Sequence, residues 1–327
     1  MAGSTLRYLT RADVETVGLT GVEVIEILED VFCAKRDGAV EMPAKIGVHP
    51  RDDAFIHAMP AYLESADAVG IKWVAGYPGN QELGLPYIHG LFVLTGASTG
   101  MPLAVMDATW ITEIRTAAAS MLGIRALAER AVEAIGIIGC GRQGHAHLEL
   151  AKEVFLGLAR VTLFDRHPER AEALAAAHPD LEARVATVAE EVATGAGGSA
   201  DVPADVVITT AAIVRDPERP LRREHLSGAT VACAVDFDAS LSQDLFEDAA
   251  LFVVDDVPQY RHYVEQGYFA GYPDDPIELC DALRPAAGHP DGLRVFVPLG
   301  IALEDVAVAA EINRRAAGAG LGTELPL

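Results

Sequence analysis

Two groups of residues in this chain have types and spacings suited to chemistry. The first lies in AIGIIGCGRQGHAHLEL, Ala134 to Leu150, with glycines at 139, 141 and 144. A G-x-G-x-x-G run is weak alone. It gains force when a strand precedes it, a helix follows it, and an acidic residue ends the next strand about 20 residues on. AIGIIG is a continuous apolar run that reads as a buried strand, Gln143 to Phe155 reads as a helix, and RVTLFD ends in Asp165. The first glycine would permit a tight turn, and the second would let backbone N–H groups approach a pyrophosphate. The helix N-terminus would add partial positive charge. The pattern therefore predicts a dinucleotide cradle. A carboxylate at Asp165 accepts hydrogen bonds from a ribose 2′-hydroxyl and repels a 2′-phosphate, which favours NAD. Arg166 follows directly and would suit a phosphate, so NADP stays open.

The second group is cationic. Lysine occurs only at Lys35, Lys45, Lys72 and Lys152, against 21 arginines. Where arginine is the default, a lysine suggests use of its compact, titratable ammonium. Lys72 stands out because it interrupts an apolar strand, VGIKWVAG. Its ammonium either snorkels from the strand edge or is buried and paired, with a displaced pKa. His145 and His147, two residues apart on a helix, point to different faces, so no metal pair is expected. Cys33, Cys140, Cys233 and Cys280 form no CxxC pair and read as reduced core residues, as in a cytoplasmic protein.

The elements that must position these groups follow from periodicity. Val22 to Lys35 is a helical pattern, with Thr20 as cap and Gly38 past its end. Between about residues 40 and 107, apolar runs broken by Pro43, Pro50, Pro60, Pro78 and Pro86 read as strands of a mixed sheet. Thr112 to Arg130 reads as a long helix with Arg115 in its first turn. From Ala134 onward, strands alternate with helices: RVTLFD, ADVVITTAA, ATVACAVDFD and ALFVVDD are the later strands, which means βαβ units and a parallel sheet. GAGGSA at 195–200 reads as a surface loop. The aromatic stretch QYRHYVEQGYF, Gln259 to Phe269, reads as core or dimer packing rather than a lid.

The 327 residues, half of them hydrophobic, suffice for two domains. A net charge of −23 argues against nucleic acid or an anionic membrane as partner. No apolar run is as long as a membrane span, and the N-terminus has no basic-then-apolar leader pattern.

The segment KWVAGYPGNQELGLPYIHGLFVLTGASTGMPLAVMDATWITEIRTAAASMLGIRALA, followed by GIIGCGRQG, resembles the ornithine cyclodeaminase/μ-crystallin family. The resemblance continues through FDRHPERAEA, VVITT, AVDFDAS and LGIALEDVAVA, and so covers nearly the whole chain. The AMPAYL and KW variants look most like the branch holding archaeal alanine dehydrogenase. It implies an α/β architecture: a Rossmann-type doubly wound parallel sheet at 121–299, plus a discontinuous mixed α+β domain at 1–120 with 300–327 for substrate binding and dimerisation. It further implies a nicotinamide-dependent enzyme acting at the Cα–N bond of an amino or imino acid, and a homodimer.

By the same resemblance, Lys45, Lys72 and Arg115 reach the substrate carboxylate or amine, with Arg115 as a bidentate clamp. Asp236, or Asp238 if the alignment shifts around it, is the acid/base, with Lys72 as another proton carrier. The cofactor residues are Tyr87, Thr116 at a helix N-terminus, Gly139, Cys140, Gly141, Arg142, Gln143, Gly144, Asp165, Arg166, Thr210 and Val235. Four positions depart from the family pattern. His57 stands where cyclising members carry glutamate and the alanine enzyme carries arginine, Tyr87 replaces a threonine, and Pro298 and Leu299 replace a small polar residue. These departures weigh on the substrate, not on the cofactor. The first expectation is an NAD-dependent amino/imino acid dehydrogenase or imine reductase. Beside it stand a cyclodeaminase that uses NAD catalytically and a μ-crystallin-like binding protein with little turnover.

Overall fold

The computed structural model describes residues 5–51, 53–195, 202–286 and 288–327, with only the backbone described at 81. Most of the GAGGSA loop lies outside the described residues. The chain divides into two compact units, Met1–Arg115 with Gly300–Leu327, and Thr116–Leu299.

The first unit opens with β1 (Thr5–Leu9), α1 (Arg11–Thr16) and α2 (Gly21–Arg36). Thr20 caps α2 through a reciprocal box with Glu23. There follow β2 (Val40–Glu41), β3 (Ile46–Arg51), β4 (Ala54–Leu63), β5 (Ala68–Gly76), β6 (Ile88–Gly96) and β7 (Pro102–Asp107), and then α3 (Thr109–Leu127). The boundary between units falls inside α3, and the chain returns to the first unit for α9 (Ala302–Ala319) and β16 (Thr323–Pro326). The strands form one mixed sheet in the order β16-β1-β7-β6-β5-β4-β2, with β3 paired to β4. Along β5 the burial alternates strictly. Ala68, Gly70, Lys72, Val74 and Gly76 are buried, while Val69 and Trp73 are exposed. The period of two means that one face is covered and the other is open. α9 covers the buried face: a Cβ on Gly70 would meet the Val306 side chain at 3.2 Å.

The second unit holds β8 (Ala134–Ile138), α4 (Arg142–Val154), β9 (Arg160–Phe164), α5 (Pro168–Ala177), β10 (Glu182–Val185), α6 (Glu191–Thr194) and β11 (Val206–Thr209). It continues with β12 (Val231–Ala234), β13 (Leu251–Val254), α7 (Val257–Glu265), β14 (Ile277–Glu278), α8 (Leu279–Ala282) and β15 (Arg294–Val297). Its sheet is wholly parallel, in the order β10-β9-β8-β11-β12-β15-β13-β14. β8, β11, β12 and β15 are buried at every residue, as strands covered on both faces must be. The strand order reverses between β8 and β11, which makes that crevice the topological switch point.

One element differs from the sequence pattern in a way that matters. The helix expected at Thr112–Arg130 runs over Thr109–Leu127. Asp107 sets its start, accepting hydrogen bonds from the Thr109 and Trp110 backbone N–H groups at 3.0 and 3.3 Å. The Arg294 guanidinium sets its end by donating to the Leu127 carbonyl. Arg115 therefore sits in the second turn, not the first, and Thr116 is not at a helix N-terminus. Tyr260, Tyr263 and Phe269 of the aromatic stretch are buried in the hydrophobic core of the second unit. Cys140, Cys233 and Cys280 are buried free thiols, and Cys33 is a half-buried one.

Candidate active site

In the first unit, β5 turns Lys72 onto the face packed by α9, where it is 1% exposed. Its ammonium donates to Asp305 Oδ1 at 2.8 Å. The Arg115 guanidinium, projecting from α3, lies 3.3 Å through Nε from the same oxygen, and its Nη1 donates to Glu304 Oε2 at 2.9 Å. Glu304 and Asp305 are both fully buried in the first turn of α9. Two cations from two elements thus converge on adjacent acids from a third. Lys45 joins them from the loop before β3, its Nζ donating to the Gly300 carbonyl at 3.4 Å. Gly300 also makes room for the guanidinium. Its φ is +74°, and a Cβ there would lie 2.5 Å from Arg115 Nη1. Burial, followed by the neighbouring Arg115 charge, pulls the Lys72 ammonium down to about 8, against the opposing pull of Asp305. A lysine with this pKa exchanges protons near neutrality.

His57 shares the Lys72 face of the sheet, since Met59 lies opposite Lys72 and His57 opposite Val74. Its ring stacks on Phe55 at 4.4 Å and meets His49 edge-on at 6.2 Å. Tyr87 is half-buried before β6, its carbonyl accepting from the Tyr77 N–H. It lies in the first unit, whereas the other cofactor candidates lie in the second.

In the second unit, the turn after β8 has the geometry its glycines suggest. Gly139 has φ +90°, and a Cβ on it would meet the Thr210 carbonyl group at 2.7 Å. A Cβ on Gly144 would lie 2.2 Å from the Gly139 oxygen. These two glycines are required by packing within the protein. Gly141 differs: a Cβ there would meet nothing within 4 Å. Space is left open in front of it, at the start of α4, where the N-cap residue is Gly141 itself and has no side chain to cap the helix. An uncapped helix N-terminus behind an open glycine fits a phosphate group. Arg142 is exposed and Gln143 half-buried in that first turn.

The Asp165 carboxylate accepts from the Cys140 backbone N–H at 2.8 Å and from His167 N–H at 2.9 Å, so it is held against the glycine turn. Arg166 is exposed beside it. Burial pushes the Cys140 thiol up to about 12, leaving it no nucleophile. Thr210 donates to the Gly139 carbonyl at 2.7 Å and so ties β11 to the same turn. The Val235 N–H donates to the Thr209 carbonyl at 2.8 Å. Thr116 is buried within α3.

Asp236 follows β12 and is 1% exposed. It accepts from Thr209 Oγ1 at 2.5 Å, Ser240 Oγ at 2.6 Å and the Ala211 N–H at 3.2 Å. Burial raises its carboxyl to about 6 despite those donors. Asp238 instead pairs with Arg219 and accepts from the Phe269 N–H at 3.1 Å. Three non-glycine residues with positive φ surround it, Arg219, Phe237 and Phe269. Asp238 therefore braces a strained loop, while Asp236 is the carboxyl joined to the crevice beside the glycine turn. Leu299 is buried in the hydrophobic core of this unit.

A model of the ornithine cyclodeaminase/mu-crystallin family matches residues 6–320. The chain belongs to that family. Among its relatives, the nodulation efficiency protein NfeD of Rhizobium meliloti is 34% identical, over 97% of this chain and 98% of that protein. The Δ1-pyrroline-2-carboxylate reductase of Thermococcus litoralis, solved with NADH and L-proline, superposes with a TM-score of 0.84 at 26% identity. It covers 98% of this chain and all of that one. An archaeal alanine dehydrogenase dimer with bound NAD superposes at 0.85 and 27% identity, over 99% of this chain and all of that one.

Within the family frame, Glu304 and Asp305 are the residues that sequence reasoning did not assign. Their signal was present: two adjacent acids interrupt the apolar first half of a helix in LGIALEDVAVA. Both are buried, and one of them must face the core to meet Lys72.

Proposed function

We propose that the protein is an NAD(P)-dependent oxidoreductase acting on the C–N bond of an amino acid or a cyclic imino acid. The observation that carries this reading is the convergence of Lys72 and Arg115 on Asp305, with Lys45 and Arg115 meeting at Gly300. Of the five side chains gathered there, three are cationic and two anionic, a balance that favours an incoming carboxylate. Lys45 and Arg115 hold that carboxylate, and holding it fixes Cα for reaction. Lys72 Nζ exchanges the proton of the substrate nitrogen. Its ammonium donates below about pH 8 in the direction of reduction, and its amine accepts above that in the direction of oxidation.

Gly139, Gly141, Gly144 and the first turn of α4 would hold the pyrophosphate of the dinucleotide, with Asp165 at its ribose hydroxyls, which favours NAD over NADP. Bound there, the nicotinamide would supply or accept hydride. Asp236 organises the crevice through Thr209, Ser240 and Ala211. His57 offers no carboxylate for a second amine, which supports redox turnover over cyclisation.

The discontinuous first unit is the substrate-binding and dimerising one in this reading. The open face of its sheet presents Tyr8, Val69, Trp73, Leu91 and Leu103, all exposed. An apolar surface of that kind marks an interface, here with a second copy of the chain. The free thiols fit the cytoplasm, and no described helix is long and apolar enough to cross a membrane.

A screen of amino and cyclic imino acids with NADH, NADPH and their oxidised forms, following nicotinamide absorbance and ammonia together, tests the reading. Net oxidation or reduction of the cofactor supports it. Ammonia release without net cofactor change would establish a cyclodeaminase instead. Cofactor binding with neither signal across the panel would mark a binding protein.

A further inference from the structure

Asp305 is fully buried and uses one oxygen, Oδ1, for both the Lys72 ammonium and the Arg115 Nε. Its other oxygen, Oδ2, has no hydrogen-bond partner among the described residues. A buried acceptor without a donor destabilises the fold, so Oδ2 adds nothing to stability and the carboxylate's bonds all run through Oδ1. Lys72 has no other acceptor at hydrogen-bond distance among the described residues. The charged groups facing it are Arg115 from α3 and Glu304 and Asp305 from α9. Its cross-strand neighbours, Met59 on β4 and Phe92 on β6, carry no charge.

We propose that Asp305 is the positioning residue for Lys72: through Oδ1 it holds the ammonium against the guanidinium and keeps it protonated for transfer to the substrate nitrogen. The proposal rests on the reading of Lys72 as proton carrier. Burial and the Arg115 charge both disfavour the ammonium, and the Asp305 carboxylate opposes them. Without that carboxylate, Lys72 would lose half or more of its ammonium form at pH 7 and be a poorer proton donor. Glu304 differs in kind, since it bonds Arg115.

The test needs no substrate in its first arm. With only four lysines, the full-length protein labelled with 13C at lysine Cε gives four resonances. Arginine replacements at Lys35, Lys45 and Lys152, one at a time, assign Lys72 by elimination. The wild-type midpoint is expected near 8, and Asp305→Asn is expected to move it down by about one pH unit or more.

In the second arm, the alkaline fall of the reductive rate moves down by the same interval in Asp305→Asn, and the two rates converge as pH falls below both midpoints. Asp305→Glu, which keeps the charge but displaces the oxygen, keeps the midpoint and lowers the rate. An unmoved Lys72 midpoint in Asp305→Asn, or a rate lowered by one factor at every pH, would overturn the proposal. Should Asp305→Asn not fold, Asp305→Glu decides alone: a rate and a Lys72 midpoint both unchanged from wild type would overturn the proposal. Failure of the substrate screen would sink the functional reading while leaving the Lys72–Asp305 coupling measured in the first arm.

Discussion

On the function proposed here the two units meet the same need, holding an anion, with opposite materials. In the second unit the cradle is backbone: glycines whose missing side chains allow close approach, and a helix start that no side chain caps. In the first unit it is charge: Lys72 and Arg115 buried against Glu304 and Asp305 by three separate elements. A backbone cradle costs the fold little, because unpaired N–H groups at a helix start can be hydrated. A buried ionic cluster has a large desolvation cost and depends on every partner being in place. The difference teaches where each unit is fragile. The glycine turn should tolerate the loss of a charge but not the gain of a methyl group. The ionic cluster should tolerate modest changes of shape but not the loss of a charge.

The largest effect is expected from Lys72→Ala. It removes the proposed proton carrier and leaves Asp305 buried beside Arg115 alone. The rate should fall about 10²–10⁴-fold, and breaking the buried pair should cost about 3–5 kcal/mol of stability. The NADH dissociation constant, read from nicotinamide fluorescence, should hardly change. Turnover within a few-fold of wild type would break the comparison by showing the ionic cluster to be scaffold only.

Next in size is the pair Gly144→Ala and Gly141→Ala. In Gly144→Ala the new Cβ would lie 2.2 Å from the Gly139 oxygen, so α4 must shift. Overpacking of this kind costs about 1–3 kcal/mol, and NADH affinity should drop roughly tenfold or more. Gly141→Ala meets nothing within 4 Å. It should leave the unfolding temperature nearly unchanged while still weakening NADH. Equal destabilisation by both variants would show that Gly141 is a packing residue and not an opening for a ligand.

These contrasts also explain what was legible in the sequence. The dinucleotide turn was readable because its chemistry is local: three glycines, one strand, one helix and Asp165 lie within 32 residues of Ala134. The parallel sheet was readable for the same reason, since β8, β11, β12 and β13 are short, mostly apolar runs, whereas β15, which opens on Arg294, was not read as a strand. The ionic cluster was not. Lys72 and Asp305 are 233 residues apart, and no periodicity pairs them. Patterning flags Lys72 only as a lysine in an apolar strand, and the family resemblance gathers it with Lys45 and Arg115 but leaves out Glu304 and Asp305. The start of α3 was misplaced because Asp107, which caps it, reads as the end of a strand. Asp236 and Asp238 could not be separated by alignment. Their partners separate them, neutral donors for one and Arg219 for the other.

A smaller effect concerns which dinucleotide is preferred. Asp165 braces the Cys140 N–H, and on the proposed reading it also repels a 2′-phosphate. Asp165→Ser should move the ratio of NADH to NADPH efficiency toward NADPH by about tenfold, equivalent to ~1.4 kcal/mol, with some loss for both cofactors as the turn loosens. Steady-state kinetics with each cofactor decides this. An unchanged ratio would mean that the carboxylate serves the turn alone.

The smallest effect is one of pH on stability. His147 on α4 is fully buried, with Nδ1 2.7 Å from the Gln143 carbonyl and Nε2 2.9 Å from Ser120 Oγ. Burial pulls its pKa down to about 4 from 6.5. A histidine with a depressed folded pKa contributes stability above its unfolded value and loses it as pH falls toward the folded one. Between pH 7 and 6 the loss is under about 1 kcal/mol, reaching about 2 by pH 5. Asp236 works the other way. Its carboxyl, raised to about 6, binds a proton in the folded state first and returns roughly half of the His147 loss between pH 7 and 6. Replacing the histidine separates the two terms. His147→Gln should be less stable than wild type at pH 7 by about 1–3 kcal/mol, and the gap should narrow steadily as pH falls to 5, read from urea midpoints at each pH. A gap independent of pH would mean that His147 is solvated and that α4 is not anchored to Ser120. The backbone cradle would then be as loosely supported as its lack of a capping side chain allows.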